Sequence, residues 1–204
     1  MYKTVILPLV GGFEDLGKFS TIAVDCVPWP ESFPLKPEVS AKLAHTNDSI
    51  LIRFDVHENG LRAVCTEPNG PVWEDDCVEF FVKDPDSDYY YNFENNCIGA
   101  GLAARRLSRD EFRFLDPAQA SQIKRHASLP CKPVELEGEQ NWCFELEIPF
   151  AVLDCPEKPE VLLGNFYKCG DKTATAHFLC WNPISTPNPD FHRPEFFGRL
   201  ELQW

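Results

Sequence analysis

Alternation of apolar and polar side chains writes strands along most of the chain and helices almost nowhere. The clearest stretch is Ile50-Leu51-Ile52-Arg53-Phe54-Asp55-Val56-His57. There Ile50, Ile52, Phe54 and Val56 fall on one face, with Arg53, Asp55 and His57 on the other. Comparable runs cover residues 19–26, 39–46, 61–66, 77–83, 89–96, 142–148, 162–169, 177–181 and 197–202, separated by Gly, Pro, Asn and Asp. Asn47-Asp48 suits a hairpin turn between 39–46 and 49–57, and Asp84-Pro85-Asp86-Ser87-Asp88 suits another. Helix signals are sparse. Asp116 followed by Pro117 supplies an N-cap acceptor and a first-turn proline, whereas Ser108 and Glu111 have capping-box spacing but no apolar period behind them. Residues 28–37, with four prolines, read as an extended loop covering an edge. The pattern predicts an all-β fold: a single jelly-roll-like β-sandwich over residues 1–204, with about ten short antiparallel strands and long proline-rich loops.

Composition agrees and narrows the partners. The 44% hydrophobic and 25% charged residues fit a folded chain, and 18 prolines in 204 residues, about 9% against a usual ~5%, fit a loop-rich one. Nineteen basic against 32 acidic residues leave a net charge of −13, which argues against nucleic acid and anionic membrane surfaces. No apolar run reaches the ~18 residues of a membrane span, so no membrane insertion is expected. The nine cysteines are odd in number and contain no Cys-x-x-Cys pair, so zinc ribbons and fingers are not indicated. Several lie in apolar runs, where a reduced thiol packs as a small hydrophobe, and mostly free thiols are expected. Those thiols, and the lack of a convincing leader in Met1–Glu14, lean towards a cytoplasmic setting.

Motifs of catalysis are missing. There is no Gly-x-Ser-x-Gly, no His-Glu-x-x-His and no phosphate loop, and Gly99-Ala100-Gly101 lacks the remainder of a dinucleotide fingerprint. Asp84, Asp86 and Asp88 begin like a calcium loop, but the glycine and the bidentate glutamate are absent, which leaves a solvated turn. No cofactor and no metal ligand set is expected from the residues.

The informative block runs from Trp73-Glu74-Asp75-Asp76-Cys77-Val78-Glu79-Phe80-Phe81 to Tyr90-Tyr91-Asn92-Phe93-Glu94-Asn95-Asn96. If Val78, Phe80 and Val82 face the core, Glu79 points the other way, between Cys77 and Phe81. By the same period, Asn92, Glu94 and Asn96 share a face. A bare buried carboxylate costs several kcal/mol, so Glu79 needs a donor or solvent. Amides and carboxylates on one sheet face beside an indole suit the hydroxyls and apolar faces of a sugar.

These residues, with Trp181-Asn182-Pro183 and Asp190-Phe191-His192-Arg193-Pro194-Glu195-Phe196-Phe197-Gly198, make the chain resemble the family 9-like carbohydrate-binding modules from about residue 20 to the C-terminus. The resemblance implies a non-catalytic β-sandwich that clamps an oligo- or polysaccharide between two tryptophans, often at a chain end. Trp73 and Trp181 match the clamp, and Glu79 matches an acidic residue that accepts sugar hydroxyls. Asn95, Arg105 (or its neighbour Arg106) and Asn182 stand where the family places amides and an arginine. The family's structural calcium has no clean counterpart here, and its role suggests export. Two other readings stay open: a small glycoside hydrolase using the Glu79/Glu94 pair, and a protein-interaction sandwich whose tryptophans are buried. Trp29, Trp142 and Trp204 read as core or edge packing, and His192 as a stabiliser of the closing turn.

Overall fold

The computed structural model describes residues 2–204 and is built almost wholly of strands. In chain order these are β1 (Thr4–Pro8), β2 (Ile22–Ala23), β3 (Glu38–His45), β4 (Ser49–Ala63), β5 (Cys77–Lys83), β6 (Tyr90–Asn96), β7 (Gly101–Arg106), β8 (Phe112–Phe114), β9 (Lys124–Ala127), β10 (Val134–Pro149), β11 (Val161–Cys169), β12 (Phe178–Cys180) and β13 (Gly198–Gln203). One sheet has eight strands in the order β1-β13-β11-β5-β6-β7-β8, with β12 also paired to β11; the other has five, in the order β2-β3-β4-β10-β9. The expected β-sandwich is therefore present. No helix is long and apolar enough to cross a membrane.

The alternation at residues 50–57 does what its spacing predicts. Ile50, Ile52, Phe54 and Val56 pack with Phe144, Leu146 and Ile148 of β10 in the core between the sheets, where each fully buried side chain contributes about 1.5–3 kcal/mol. The predicted strands at 49–57 and 61–66 are one strand, because Gly60 at φ 85° lets the backbone continue through a local irregularity. Asp116 caps the four-residue helix α1 (Pro117–Ala120), its Oδ1 accepting from the Gln119 amide at 2.8 Å. Ser108 Oγ accepts from the Glu111 amide without a helix following, so that signal marks only a turn.

All the described pairings between neighbours in the two sheets are antiparallel except one. β1 runs parallel to β13, from Thr4 opposite Arg199 to Pro8 opposite Gln203. Just beyond it Leu9 bridges to His45, at the end of β3 in the other sheet. The first segment thus touches both layers of the sandwich.

The larger sheet is buried on both faces. Val78, Phe80 and Val82 of β5 face the other sheet, while Cys77 and Phe81 face a second apolar cluster with Tyr90, Tyr167, Phe191 and Phe197. That second cluster lies beneath the proline-rich segments. Trp29 sits there, 7% exposed, its Nε1 donating to the Thr186 carbonyl. Loops, not a third layer, close this face and leave the depression described next.

Candidate functional site

Period-2 alternation brings the floor of the site together. Glu79 of β5 lies opposite Glu94 of β6, and Glu94 lies opposite Leu102 of β7. On the other side of β5, Cys77 lies opposite Cys169 of β11. These side chains point away from the second sheet, and those of Glu79, Glu94, Leu102 and Cys169 line a cavity of about 320 Å³. Trp73, Phe112, Phe114, Phe178 and Phe191 form its aromatic walls, and Arg106, Asp190 and His192 add polar groups. Two larger depressions lack this combination. One, of about 500 Å³ on the outer face of the second sheet, meets a tryptophan, Trp142, that is only 4% exposed. The other, a groove of about 1060 Å³, has no Phe, Tyr or Trp in its walls.

The motif Trp73-Glu74-Asp75-Asp76 has a local explanation. Trp73 rides on a single 3-10 turn, Val72–Glu74, anchored by the fully buried Val72. Asp75 fixes the end of that turn by accepting from the Cys65 amide, Arg62 Nη1 and Asn96 Nδ2 at 2.8–2.9 Å. Asp76 accepts from the Arg62 amide and from Lys168 Nζ. The two aspartates therefore hold the turn, and the indole, 38% exposed, is presented at the cavity wall.

Glu79 and Glu94 are each only 3% exposed. Cys169 Sγ–H donates to Glu79 Oε1 at 3.0 Å, and Asn92 Nδ2 donates to Glu94 Oε1 at 2.6 Å. Arg106 in turn donates through Nε to Asn92 Oδ1 at 2.8 Å and through Nη1 to the Arg109 carbonyl. Burial, and then the facing Glu94, push the Glu79 carboxyl well above its usual range; burial raises Glu94 to about 7. Burial thus favours the protonated form of both carboxyls, and a protonated carboxyl offers an O–H donor beside its acceptor oxygen. His192, bonded to the Tyr90 hydroxyl at 3.0 Å, is kept neutral by burial and by Arg106 and Arg109, which lower it to about 3. Such a floor beneath aromatic walls suits a polyhydroxylated ligand.

The residues expected from sequence divide. Trp73 and Glu79 meet at this cavity; four others do not. Trp181 is 3% exposed, edge-on to Phe166 at 5.5 Å in the core between the sheets, and fills the space left by Gly198, so it cannot face Trp73 across a ligand. Asn182 is structural: Oδ1 accepts from the Lys3 amide and Nδ2 donates to the Phe196 carbonyl. Asn95, one residue out of phase with Glu94, points between the sheets and accepts from Arg125 Nε at 2.8 Å. Arg105 likewise points away from the cavity; it lies over the Tyr89 ring at 3.6 Å, with Asp154 at 3.4 Å. Its neighbour Arg106 takes the place at the site.

Several wall residues carry a readable signal. Glu94 shares a face with Asn92 and Asn96, and Phe112 and Phe114 form an alternating exposed pair. Phe178 and Cys169 carry none, because their approach depends on how β11 and β12 pair.

Glu79 and Glu94 project side by side from one sheet face and meet a ligand from the same side. Hydrolysis of a glycosidic bond needs carboxyls flanking it, so this arrangement does not favour the glycoside hydrolase alternative. The calcium-like run at residues 84–88 forms a turn. Asp84 Oδ1 is taken by the Asp86 amide within its turn. Among the described residues, two groups of three His, Cys, Asp or Glu side chains converge. One, Cys77, Glu79 and Cys169, offers thiols, which a hard cation does not prefer. The other, Glu58, Asp76 and His177, surrounds the Lys168 ammonium, with Glu58 Oε2 at 2.9 Å, Asp76 Oδ1 at 2.7 Å and His177 Nε2 at 2.6 Å. All nine cysteines are free thiols.

Comparison with known proteins places this geometry. A candidate carbohydrate-binding protein from Bacteroides uniformis ATCC 8492 is 36% identical over the whole of both chains, with a TM-score of 0.92. A family 9 carbohydrate-binding module from Caldicellulosiruptor kristjanssonii, solved with cellotriose, has the same fold at 12% identity, covering 98% of this chain and 94% of that one, with a TM-score of 0.66. Its glucose complex gives a TM-score of 0.63 at 12% identity, covering 98% of this chain and 96% of that one. No curated protein matches the chain. The sequence profile of carbohydrate-binding family 9 matches residues 13–202, and the chain belongs to that family.

Proposed function

We propose that the cavity under Trp73 is a non-catalytic site for an oligo- or polysaccharide. The observation that carries this reading is the exposed Trp73 indole beside a floor made by Glu79, Glu94 and Arg106. The indole supplies a stacking surface for the apolar face of a sugar ring. The Glu79 and Glu94 carboxyls and the Arg106 guanidinium supply donors and acceptors for its hydroxyls. Phe112, Phe114, Phe178 and Phe191, not Trp181, supply the remaining aromatic walls. The volume, about ten waters' worth, suits one or two sugar rings and not a long segment. The reading in which both tryptophans are simply buried fits Trp181 but not Trp73.

The test is a glycan array, followed by calorimetric titration of any hit and of glucose and cellotriose, the sugars in the Caldicellulosiruptor module's complexes. Trp73→Ala should cost about 1–3 kcal/mol of affinity, by analogy with base stacking on aromatics, with the melting temperature little changed. Trp181→Ala should do the reverse, costing about 3–5 kcal/mol of stability while the folded fraction keeps its affinity. An absence of glycan binding at millimolar concentration, or affinity lost with Trp181 and kept without Trp73, would overturn the assignment.

A further inference from the structure

The floor of the cavity carries a second chemistry that hydroxyl recognition does not use. Cys77 and Cys169 stand opposite each other on adjacent strands, and Glu79, two residues beyond Cys77, projects from the same face. The two sulfurs and a Glu79 oxygen all lie within 4.8 Å of one another, and all three residues are buried. Cys169 Sγ is already 3.0 Å from Glu79 Oε1. Glu94 faces Glu79 from the next strand. The molecule contains its own control. The other convergent group, Glu58, Asp76 and His177, is compensated by the Lys168 ammonium at its centre. At the cavity floor no Lys or Arg makes an ion pair with Glu79 or Glu94 among the described residues, and Arg106 commits its Nε and Nη1 to Asn92 and the Arg109 carbonyl.

We propose that Cys77, Cys169 and Glu79 form a binding site for a thiophilic divalent cation of the zinc class, with its fourth position open to the cavity. Two thiolates and a carboxylate are a donor set that prefers zinc, cobalt or cadmium to calcium or magnesium. Glu79 and Cys169 line the cavity, so the ion has a path of entry. Binding is a ligand exchange with no redox step: the cation gains two sulfur bonds and one oxygen bond, and the protons of the two thiols and of the Glu79 carboxyl pass to the buffer. The fourth position is left for water, Glu94 or a ligand hydroxyl. The site stands whether or not the cavity binds sugar. If it does, the ion and the sugar share Glu79, and each alters the affinity of the other.

The experiment titrates the full chain, reduced and stripped with chelator, with Co²⁺ as a spectroscopic probe, then displaces it with Zn²⁺. The expected result is thiolate-to-cobalt charge transfer in the near ultraviolet with tetrahedral visible bands, saturating at one equivalent and lost on adding one equivalent of zinc. Cys77→Ser and Cys169→Ser should abolish the bands. Glu79→Gln should weaken cobalt binding by on the order of tenfold or more, the scale at which even groups that merely support a ligand count. Cys65→Ser and Cys131→Ser, outside the site, should leave the bands intact. Because the buried serine variants could fail to fold, alkylation of the unmodified chain gives a second readout: zinc should protect Cys77 and Cys169 and leave Cys131 reactive. Absence of the charge-transfer band, its survival in both buried serine variants, or equal alkylation of Cys77 and Cys169 with and without zinc would overturn the proposal. Glucose titration of the metal-free protein, run separately, reports on the sugar site alone.

Discussion

Lys168 is fully buried, and its ammonium neutralises the carboxylates of Glu58 and Asp76 at 2.9 and 2.7 Å. Replacing it with Met keeps most of the volume and removes the charge. At an effective dielectric of 20, each of these contacts is worth about 6 kcal/mol, against which the desolvation of the lysine costs several kcal/mol. The net loss expected from breaking such a cluster is about 3–5 kcal/mol, or about 6–20 °C in melting temperature for a chain of this size. The loss should also depend on pH. Glu58 already stands at about 7, raised by burial while Lys168 opposes the rise, and His177 stands at about 4, lowered by burial and then by Lys168. Without the lysine both groups bind protons more tightly in the folded state. A carboxyl raised above its unfolded value stabilises the fold below about 4.5 and loses that contribution as pH climbs through the raised value. A protonated His177 would meanwhile substitute in part for the missing ammonium. Lys168→Met should therefore be least impaired near pH 5 and most impaired at pH 8, as read by urea unfolding at both, with chelator present. A deficit below about 1 kcal/mol at pH 8, or one that does not change with pH, would refute this account of the cluster.

Three further outcomes are expected. Glu94, held near 7, gives up about 3 kcal/mol of stability as pH rises from 4.5 through 7, at about 1.4 kcal/mol per tenfold change in proton affinity. Glu94→Gln keeps the acceptor for Asn92 and should flatten that decline, which urea melts at pH 5 and 8.5 will show; a decline equal to the parent's would sink the idea. Gly198→Ala would place a Cβ 2.4 Å from Trp181 Cζ3 and 2.8 Å from the Lys3 carbonyl, so a loss of about 1–3 kcal/mol is expected with no change in sugar affinity. Asp75→Ala removes the acceptor shared by the Cys65 amide, Arg62 and Asn96, and should cost about 3–5 kcal/mol while slackening the Trp73 turn, visible as a shift in tryptophan emission.

Much of the fold is legible in the sequence, because alternation is a property of the chain itself. The pattern around Val78, Phe80 and Val82 places Glu79 on the far face, and the fold keeps it there. Legibility fails where the answer depends on a partner strand. Arg105 and Arg106 are indistinguishable by composition; only the pairing of Tyr90 with Arg106 decides which one reaches the cavity. Trp181 does stand at a strand end, as its apolar neighbours predict, but the space that buries it comes from Gly198, 17 positions away. Asn95 is out of phase with its neighbours Asn92, Glu94 and Asn96, and that phase is a better guide to its direction than its residue type. The short strands β1, β7, β8 and β9 leave little mark in the pattern, because each is brief, or rich in charge or small residues, and is held by its neighbours in the sheet.

The parallel pairing of the first strand with the last has a mechanical meaning. Because β1 and β13 run the same way, the N-terminal end of one and the C-terminal end of the other leave the sheet at opposite ends. A force pulling the two ends of the chain apart therefore slides one strand along the other and loads the whole ladder, from Thr4–Arg199 to Pro8–Gln203, together in shear. An antiparallel pair of termini would instead open one bond at a time from its end. The Leu9–His45 bridge extends the clasp into the second sheet, so the sliding segment must also release that layer. A module tethered at both ends should accordingly yield slowly under load, at a rate set by its unfolding barrier and not by its equilibrium stability.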